Sequence, residues 1–193
     1  MCGIAGIINY KEGFRFKENL LSASSMMKNR GPDDDGLWND DICGFAQRRL
    51  SILDLSQAGH QPMLSHNERF VCTFNGEIYN FKIIKNEISK INSNIKWKGN
   101  SDTEVLLEGW KIYGKKLLDK IDGMFAFAIW DRKDKTLFLA RDRMGEKPLY
   151  YHYKDGKFIF ASRPSPLFQL EPQLSKDYDL KGIRYFLESG YIP

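Results

Sequence analysis

Three cysteines and three histidines are all that this 193-residue chain carries, and their scarcity narrows the field. Cys2, Cys43 and Cys72 include no C-x-x-C pair. An odd, sparse set of thiols with no secretion signal points to free thiols in a reducing cytoplasm. The first ten residues lack the charged start and apolar core of a signal peptide. No apolar run reaches the roughly 18 residues of a membrane span. His60, His66 and His152 each stand alone, without metal-ligand spacing. Neither G-x-x-x-x-G-K-[ST] nor a strand-coupled G-x-G-x-x-G occurs, so nothing reads as a nucleotide site. A strong charge of either sign is missing too. The 29 basic and 25 acidic residues leave +4, and the basic ones are scattered, which argues against nucleic-acid or membrane binding. Internal repeats and low-complexity segments are also absent.

What is present is an ordinary globular composition, 42% hydrophobic and 28% charged, in a chain long enough for one well-buried domain. The first three residues, Met1-Cys2-Gly3, stand out. Cysteine is small enough to permit removal of the initiator methionine, which would put a thiol and a free α-amine on one residue. The amine's ordinary pKa is about 7.7–8.0 and the thiol's about 8.5, so the amine can take the proton of its own side chain. That is the N-terminal-nucleophile device, and it needs no histidine. A dyad of Cys2 with a histidine stays open at this point.

Taken in order, Gly3 to Ile8 reads as a buried strand, bounded by Asn9 and the polar Lys11-Glu12-Gly13. Such a strand would pin Cys2 in place. Phe16, Leu20, Leu21 and Met27 recur at helical spacing up to Asn29-Arg30-Gly31-Pro32. Strands are expected at Leu37-Trp38, from Asp41 to Arg48, and from Arg69 to Phe74, the last ending in an Asn75-Gly76 turn. A helix follows, with Asn80 as its N-cap and Phe81, Ile84, Ile88 and Ile91 on one face. Ser101-Asp102-Thr103-Glu104 has capping-box spacing, and Leu106, Trp110, Tyr113 and Leu117 share a face behind it. Four aromatic-rich strands come next: Met124 to Trp130, Thr136 to Arg141, Pro148 to Tyr153 and Lys157 to Ala161. Asp155-Gly156 reads as a hairpin turn. Short helices are expected from Leu167 to Leu170 and from Leu180 to Leu187. Cys43 and Cys72 lie in apolar stretches and read as core residues. Hairpin signals dominate over crossovers, which favours two antiparallel sheets with helices outside.

Several separated segments carry a resemblance. They are Cys2-Gly3-Ile4, Arg30-Gly31-Pro32-Asp33, Arg49-Leu50-Ser51-Ile52-Leu53-Asp54, Gly59-His60-Gln61-Pro62-Met63, Phe74-Asn75-Gly76-Glu77-Ile78-Tyr79-Asn80, Ser101-Asp102-Thr103-Glu104, Gly123 to Ala128, and Arg141-Asp142-Arg143-Met144-Gly145. In this order they resemble a class II glutamine amidotransferase domain, most closely the glutaminase half of glutamine-hydrolysing asparagine synthetases. Gly145 to Tyr151 is similar to the bacterial branch that includes surface-polysaccharide amidation enzymes. The resemblance spans residues 1 to about 162. It implies an α+β fold, the four-layer αββα sandwich of N-terminal-nucleophile hydrolases with two mainly antiparallel sheets.

It also implies roles. Cys2 would be the nucleophile that attacks the side-chain amide of L-glutamine, giving a thioester, ammonia and then glutamate. Asn75 and Gly76 would form the oxyanion hole. Arg49 would clamp the α-carboxylate and Asp102 the α-ammonium, with Glu77, Leu50, Ser51, Ile52 and Leu53 supplying the remaining contacts. The resemblance implies no cofactor or metal in this domain; ATP and Mg belong to a C-terminal synthetase domain. That domain's Ser-Gly-Gly-x-Asp-Ser signature does not occur before Pro193. Residues 1–193 therefore read as one domain, with a core of about 2–162 and a linker over 163–193. L-Glutamine and the synthetase domain are the expected partners, and a homodimer stays open, as does the choice between aspartate and a sugar acid as ammonia acceptor. Two rival readings are an N-terminal-nucleophile amidase or acylase acting on another amide, and a silent domain that binds glutamine or contacts a partner.

Overall fold

The computed structural model describes residues 1–10, 16–176 and 178–191. The polar Lys11-Glu12-Gly13, expected to close the first strand, and Pro193 lie outside these residues.

The first strand, β1, runs over Gly3–Asn9 and is buried along its whole length. A strand buried on both faces should read as a continuous apolar run, and Gly3 to Ile8 does. It is followed by α1 over Phe16–Ser25, a 3-10 turn over Lys28–Arg30, β2 over Asp34–Asn39 and β3 over Cys43–Arg49. Next come the two-residue β4, Met63–Leu64, β5 over Phe70–Ile78, α2 over Phe81–Ile91 and α3 over Asp102–Tyr113. The second half holds β6 over Gly123–Asp131, β7 over Thr136–Arg141, β8 over Tyr150–Lys154 and β9 over Lys157–Ala161. Two helices end the described chain, α4 over Pro164–Leu170 and α5 over Leu180–Ser189. Asp155 and Gly156 both adopt positive φ, the conformation a tight β8–β9 hairpin requires.

The strands form two sheets, ordered β2-β3-β1-β9-β8 and β4-β5-β6-β7, and every pairing is antiparallel. Three packed layers hold them. Ile4, Ile8, Phe45, Val71, Trp130 and Phe160 fill the space between the sheets. Phe16, Leu20, Leu167 and Leu170 from α1 and α4 pack on the outer face of the first sheet. Ile84, Ile88, Leu106 and Trp110 from α2 and α3 pack on the second. The result is the expected αββα sandwich. Cys43 and Cys72 are free and fully buried. α4 belongs to this packed layer although it lies beyond residue 162.

Three local expectations differ from the structure. Asn75-Gly76 is not a turn: β5 runs through it to Ile78, paired residue for residue with β6 as far as Gly123. Glycine is needed there for close approach, since a Cβ on Gly76 would collide with the Met124 carbonyl and come within 2.7 Å of Phe125 Cα. Asn80 does precede α2, but its side chain makes no cap bond. Instead it donates to the Lys120 carbonyl at 2.8 Å and accepts from the Asp122 amide at 3.0 Å. Ser101 caps α3 by accepting from Thr103 N at 3.1 Å, whereas Glu104 turns away from the box and receives the amides of Lys98 and Gly99 at 2.8 and 3.0 Å.

Candidate active site

β1 is the central strand of its sheet, so the residue just before it inherits a rigid mount. Ser162 holds the strand's start from one side: its Oγ accepts from Ile4 N at 3.1 Å and its amide donates to Ile4 O at 2.8 Å. From another direction, Arg30 Nε donates to the Cys2 carbonyl at 2.9 Å. The thiol lies beside the end of β3, where the Leu50 amide donates to Cys2 Sγ at 3.4 Å and the Leu50 carbonyl accepts from it at 3.6 Å. Burial pushes the Cys2 thiol up from its ordinary value; the Leu50 contact and the positive charges of the chain terminus and Arg49 only partly offset this. The thiol therefore needs a base to become a nucleophile at neutral pH.

Cys2 opens onto a cavity of about 220 Å³ between the edges of the two sheets and the start of α3. Met1, Arg49, Leu50, Ile52, Leu53, Asn75, Gly76, Glu77 and Asp102 all line it. Ser51 is the exception among the expected residues: its amide donates to Asp33 Oδ2 at 2.8 Å, and it does not reach the cavity wall. His60 is absent from the wall as well. Its Nδ1 is 2.8 Å from Asp34 Oδ2, and neither His66 nor His152 lines the cavity.

The strand pairing explains how donors come to face this cavity. Phe125 uses both of its backbone groups toward Asp142, accepting from Asp142 N at 2.8 Å and donating to Asp142 Oδ2 at 3.3 Å. Backbone direction alternates along an antiparallel ladder, so Phe125 and its opposite residue Gly76 form a non-hydrogen-bonded pair. The amides of Phe74, Gly76 and Ile78 thus point off the free edge of β5. Phe74 N donates to Gln61 Oε1 at 2.7 Å and Ile78 N to Asp102 Oδ2 at 3.0 Å. The Gly76 N–H between them is aimed at the cavity. On the adjacent face of the strand, Asn75 is 1% exposed and its Nδ2 has no hydrogen-bond partner. A buried amide donor without an acceptor costs about 1–3 kcal/mol; one opening on a cavity is a site awaiting an oxygen.

The cavity wall also carries charge. Arg49 is almost wholly buried, with Nη1 donating to the Ser56 carbonyl at 3.1 Å and Nη2 to the Asp54 carbonyl. Two of its five donors are used in this way. Asp102, at the first turn of α3, is also buried. Burial pushes its carboxyl up to about 6, aided by the nearby Glu77 charge and opposed by the Ile78 and Thr103 amides. No group of three or more metal-ligating side chains exists among the described residues.

The wall also includes residues to which the sequence reading attached no role: Asp54, Gly59, Gln61, Phe74, Ser101, Thr103, Met124 and Lys147. Gln61 and Thr103 are buried and joined by a 3.2 Å hydrogen bond. Gln61 stands in a quoted motif, and its neighbours Gly59 and Pro62 were the only hint of a built loop.

The comparisons with known proteins converge on one family. The family described as "Glutamine amidotransferase domain" matches residues 1–193. The chain is similar to asparagine synthetase [glutamine-hydrolyzing] 1 of Bacillus subtilis (strain 168), 34% identical over all of this chain and 30% of the relative. It is similar to asparagine synthetase [glutamine-hydrolyzing] 2 of the same organism, 40% identical over 94% of this chain and 24% of the relative. A putative asparagine synthetase [glutamine-hydrolyzing] 2 of Methanocaldococcus jannaschii is 32% identical over the whole chain and 40% of its own length. The chain thus spans well under half of these relatives. Among solved structures, the glutamine phosphoribosylpyrophosphate amidotransferase of B. subtilis shares the fold with a TM-score of 0.68 at 20% identity, over 86% of this chain and 43% of that one.

Proposed function

Since the chain belongs to the glutamine amidotransferase domain family, we propose that it hydrolyses L-glutamine to L-glutamate and ammonia through a thioester on Cys2. The observation that carries this reading is the unpartnered Asn75 Nδ2, buried beside a Gly76 N–H that the ladder leaves free, in the cavity that also holds Cys2, Arg49 and Asp102.

The steps follow from these positions. Loss of Met1 frees the α-amine of Cys2, which takes the thiol proton. Sγ then attacks the side-chain carbonyl carbon of glutamine, and the resulting oxyanion accepts from Asn75 Nδ2 and the Gly76 amide. The protonated α-amine returns its proton to the departing nitrogen, the C–N bond breaks and ammonia leaves. The same amine next deprotonates a water, which attacks the thioester; the S–C bond breaks, glutamate departs and the thiol regains a proton. Nothing in these steps consumes ATP. Arg49 and Asp102 on the wall fit the carboxylate and ammonium of a free amino acid, which an amidase or acylase for other amides would not need.

Ammonia made here would serve a synthetase region of the kind named in the relatives, and any ATP and Mg would be bound there rather than in this domain. None of the described helices is long and apolar enough to cross a membrane, and the free thiols suit a reducing cytoplasm. The test is release of glutamate from glutamine, without ATP, by protein that begins at Cys2. Cys2→Ala should abolish it, and undiminished turnover in Cys2→Ala would refute the nucleophile assignment.

A further inference from the structure

Arg49 and Asp102 face one ligand but belong to different parts of the fold. The first ends a strand of one sheet, and the second begins a helix packed on the other. Their separation decides which ligands fit, and neither a strand nor a helix sets it. Residues 50–59, which follow Arg49, leave Ile52, Leu53 and Leu55 exposed, so apolar packing does not fix that segment.

We infer that Asp54 is a positioning residue that sets this separation by tying the Arg49 segment to the base of α3. Its Oδ1 accepts from Ser56 N at 2.8 Å and Ser56 Oγ at 2.6 Å. This curls the chain so that the carbonyls of Asp54 and Ser56 both receive the Arg49 guanidinium. Its Oδ2 accepts from Asn100 N at 2.8 Å, two residues before Asp102. The approach depends on Gly99, where a Cβ would stand 2.5 Å from that oxygen. Residues 98–100 are themselves anchored, because the buried Glu104 of α3 receives the Lys98 and Gly99 amides and Lys85 Nζ donates to the Gly99 carbonyl at 3.0 Å. One carboxylate therefore bridges a segment with few anchors and a rigid helix. Three donors on two oxygens call for an ionised carboxylate, and these donors hold Asp54 below the usual range. An asparagine in its place could keep only one of the two oxygens as an acceptor, and would set its NH₂ against either the Ser56 or the Asn100 amide.

The inference rests on the glutaminase reading only for the identity of the ligand. Its test compares wild type, Asp54→Asn, Arg49→Lys and the double variant, with steady-state kinetics on L-glutamine. Calorimetric binding of L-glutamine is measured in parallel, with the same substitutions made in a Cys2→Ala background. Asp54→Asn should raise KM and the dissociation constant about 10- to 150-fold, the worth of one charged hydrogen bond. kcat should stay within about twofold, and the thermal midpoint should fall by only a few degrees, since Asp54 is partly exposed. Arg49→Lys should cost less in the Asp54→Asn background than in wild type, because both act through the same guanidinium. Additive effects, an unchanged affinity, or a loss explained by unfolding would each overturn the proposal. Wild type that binds glutamine without hydrolysing it, and binds it less tightly after Asp54→Asn, would refute the glutaminase reading and support this one. Wild type that binds no glutamine would overturn both.

Discussion

Lowering the pH from 7.5 to 5 should weaken glutamine binding by roughly tenfold. On the proposed reading Asp102 supplies the carboxylate for the ligand's ammonium, and burial raises that carboxyl to about 6. Above pH 7 it is ionised and competent; one unit below its pKa only about a tenth of the protein is. The ligand's own charged groups do not titrate in this window. No histidine among the described residues lines the cavity. The clean assay is calorimetry on Cys2→Ala protein, because the pH dependence of catalysis would add the titration of the α-amine. The same shift makes a second, opposite statement about stability. Unfolded, Asp102 returns to its ordinary 3.8, so folding favours the protonated form. The stability present below about pH 4 is lost as the pH rises to about 6, and two units correspond to about 3 kcal/mol. Asp102→Asn should therefore bind glutamine poorly, yet melt higher than wild type at pH 7.5, by up to about 3 kcal/mol of stability, with the gap closing below pH 4. Affinity that stays flat from pH 7.5 to 5, or an Asn variant less stable than wild type at pH 7.5, would refute the reasoning.

The donors on β5 should respond differently. Asn75→Ala should lower kcat by about 10²–10³ while leaving KM within a few-fold, because its Nδ2 is aimed at charge that develops in the transition state; a pure KM effect in steady-state kinetics would count against that role. Gly76→Ala should lower both kcat and the thermal midpoint, since the added methyl group would meet the Met124 carbonyl and the Phe125 backbone. Wild-type turnover by that variant would contradict the close approach.

Residues whose signal is local were legible in the sequence. The apolar run from Gly3 to Ile8 showed β1, the helical spacing of Ile84 and Ile88 showed α2, and Asp155-Gly156 showed its hairpin. Cys2 was legible as a candidate from chemistry, because a terminal cysteine would carry its own base, and it does line the cavity. Asn75-Gly76 was misread as a turn because the dipeptide is a strong local turn signal, and what overrides it is non-local: full pairing with β6. Both residues nevertheless line the cavity, and the ladder's alternation, invisible in sequence, explains why. Glu104 was misread for the same reason: the spacing from Ser101 suggests a box, while the folded loop offers it two other amides. Gln61 and Thr103 meet on the wall through a contact across 42 residues of sequence, which no local pattern signals. Ser51 shows the converse, a motif position whose backbone is claimed by Asp33.

The central claim is that the α-amine of Cys2 is the base. Met1 lines the cavity and, while present, makes that nitrogen an amide. The decisive measurement compares glutamine turnover by protein that retains Met1 with turnover by protein that starts at Cys2, each verified by intact mass. Binding of a non-reactive glutamine analogue is measured on both to gauge obstruction. The account predicts that the Met1 form binds the analogue yet turns over about 10²–10⁴ times more slowly. Equal turnover by the two forms would contradict it.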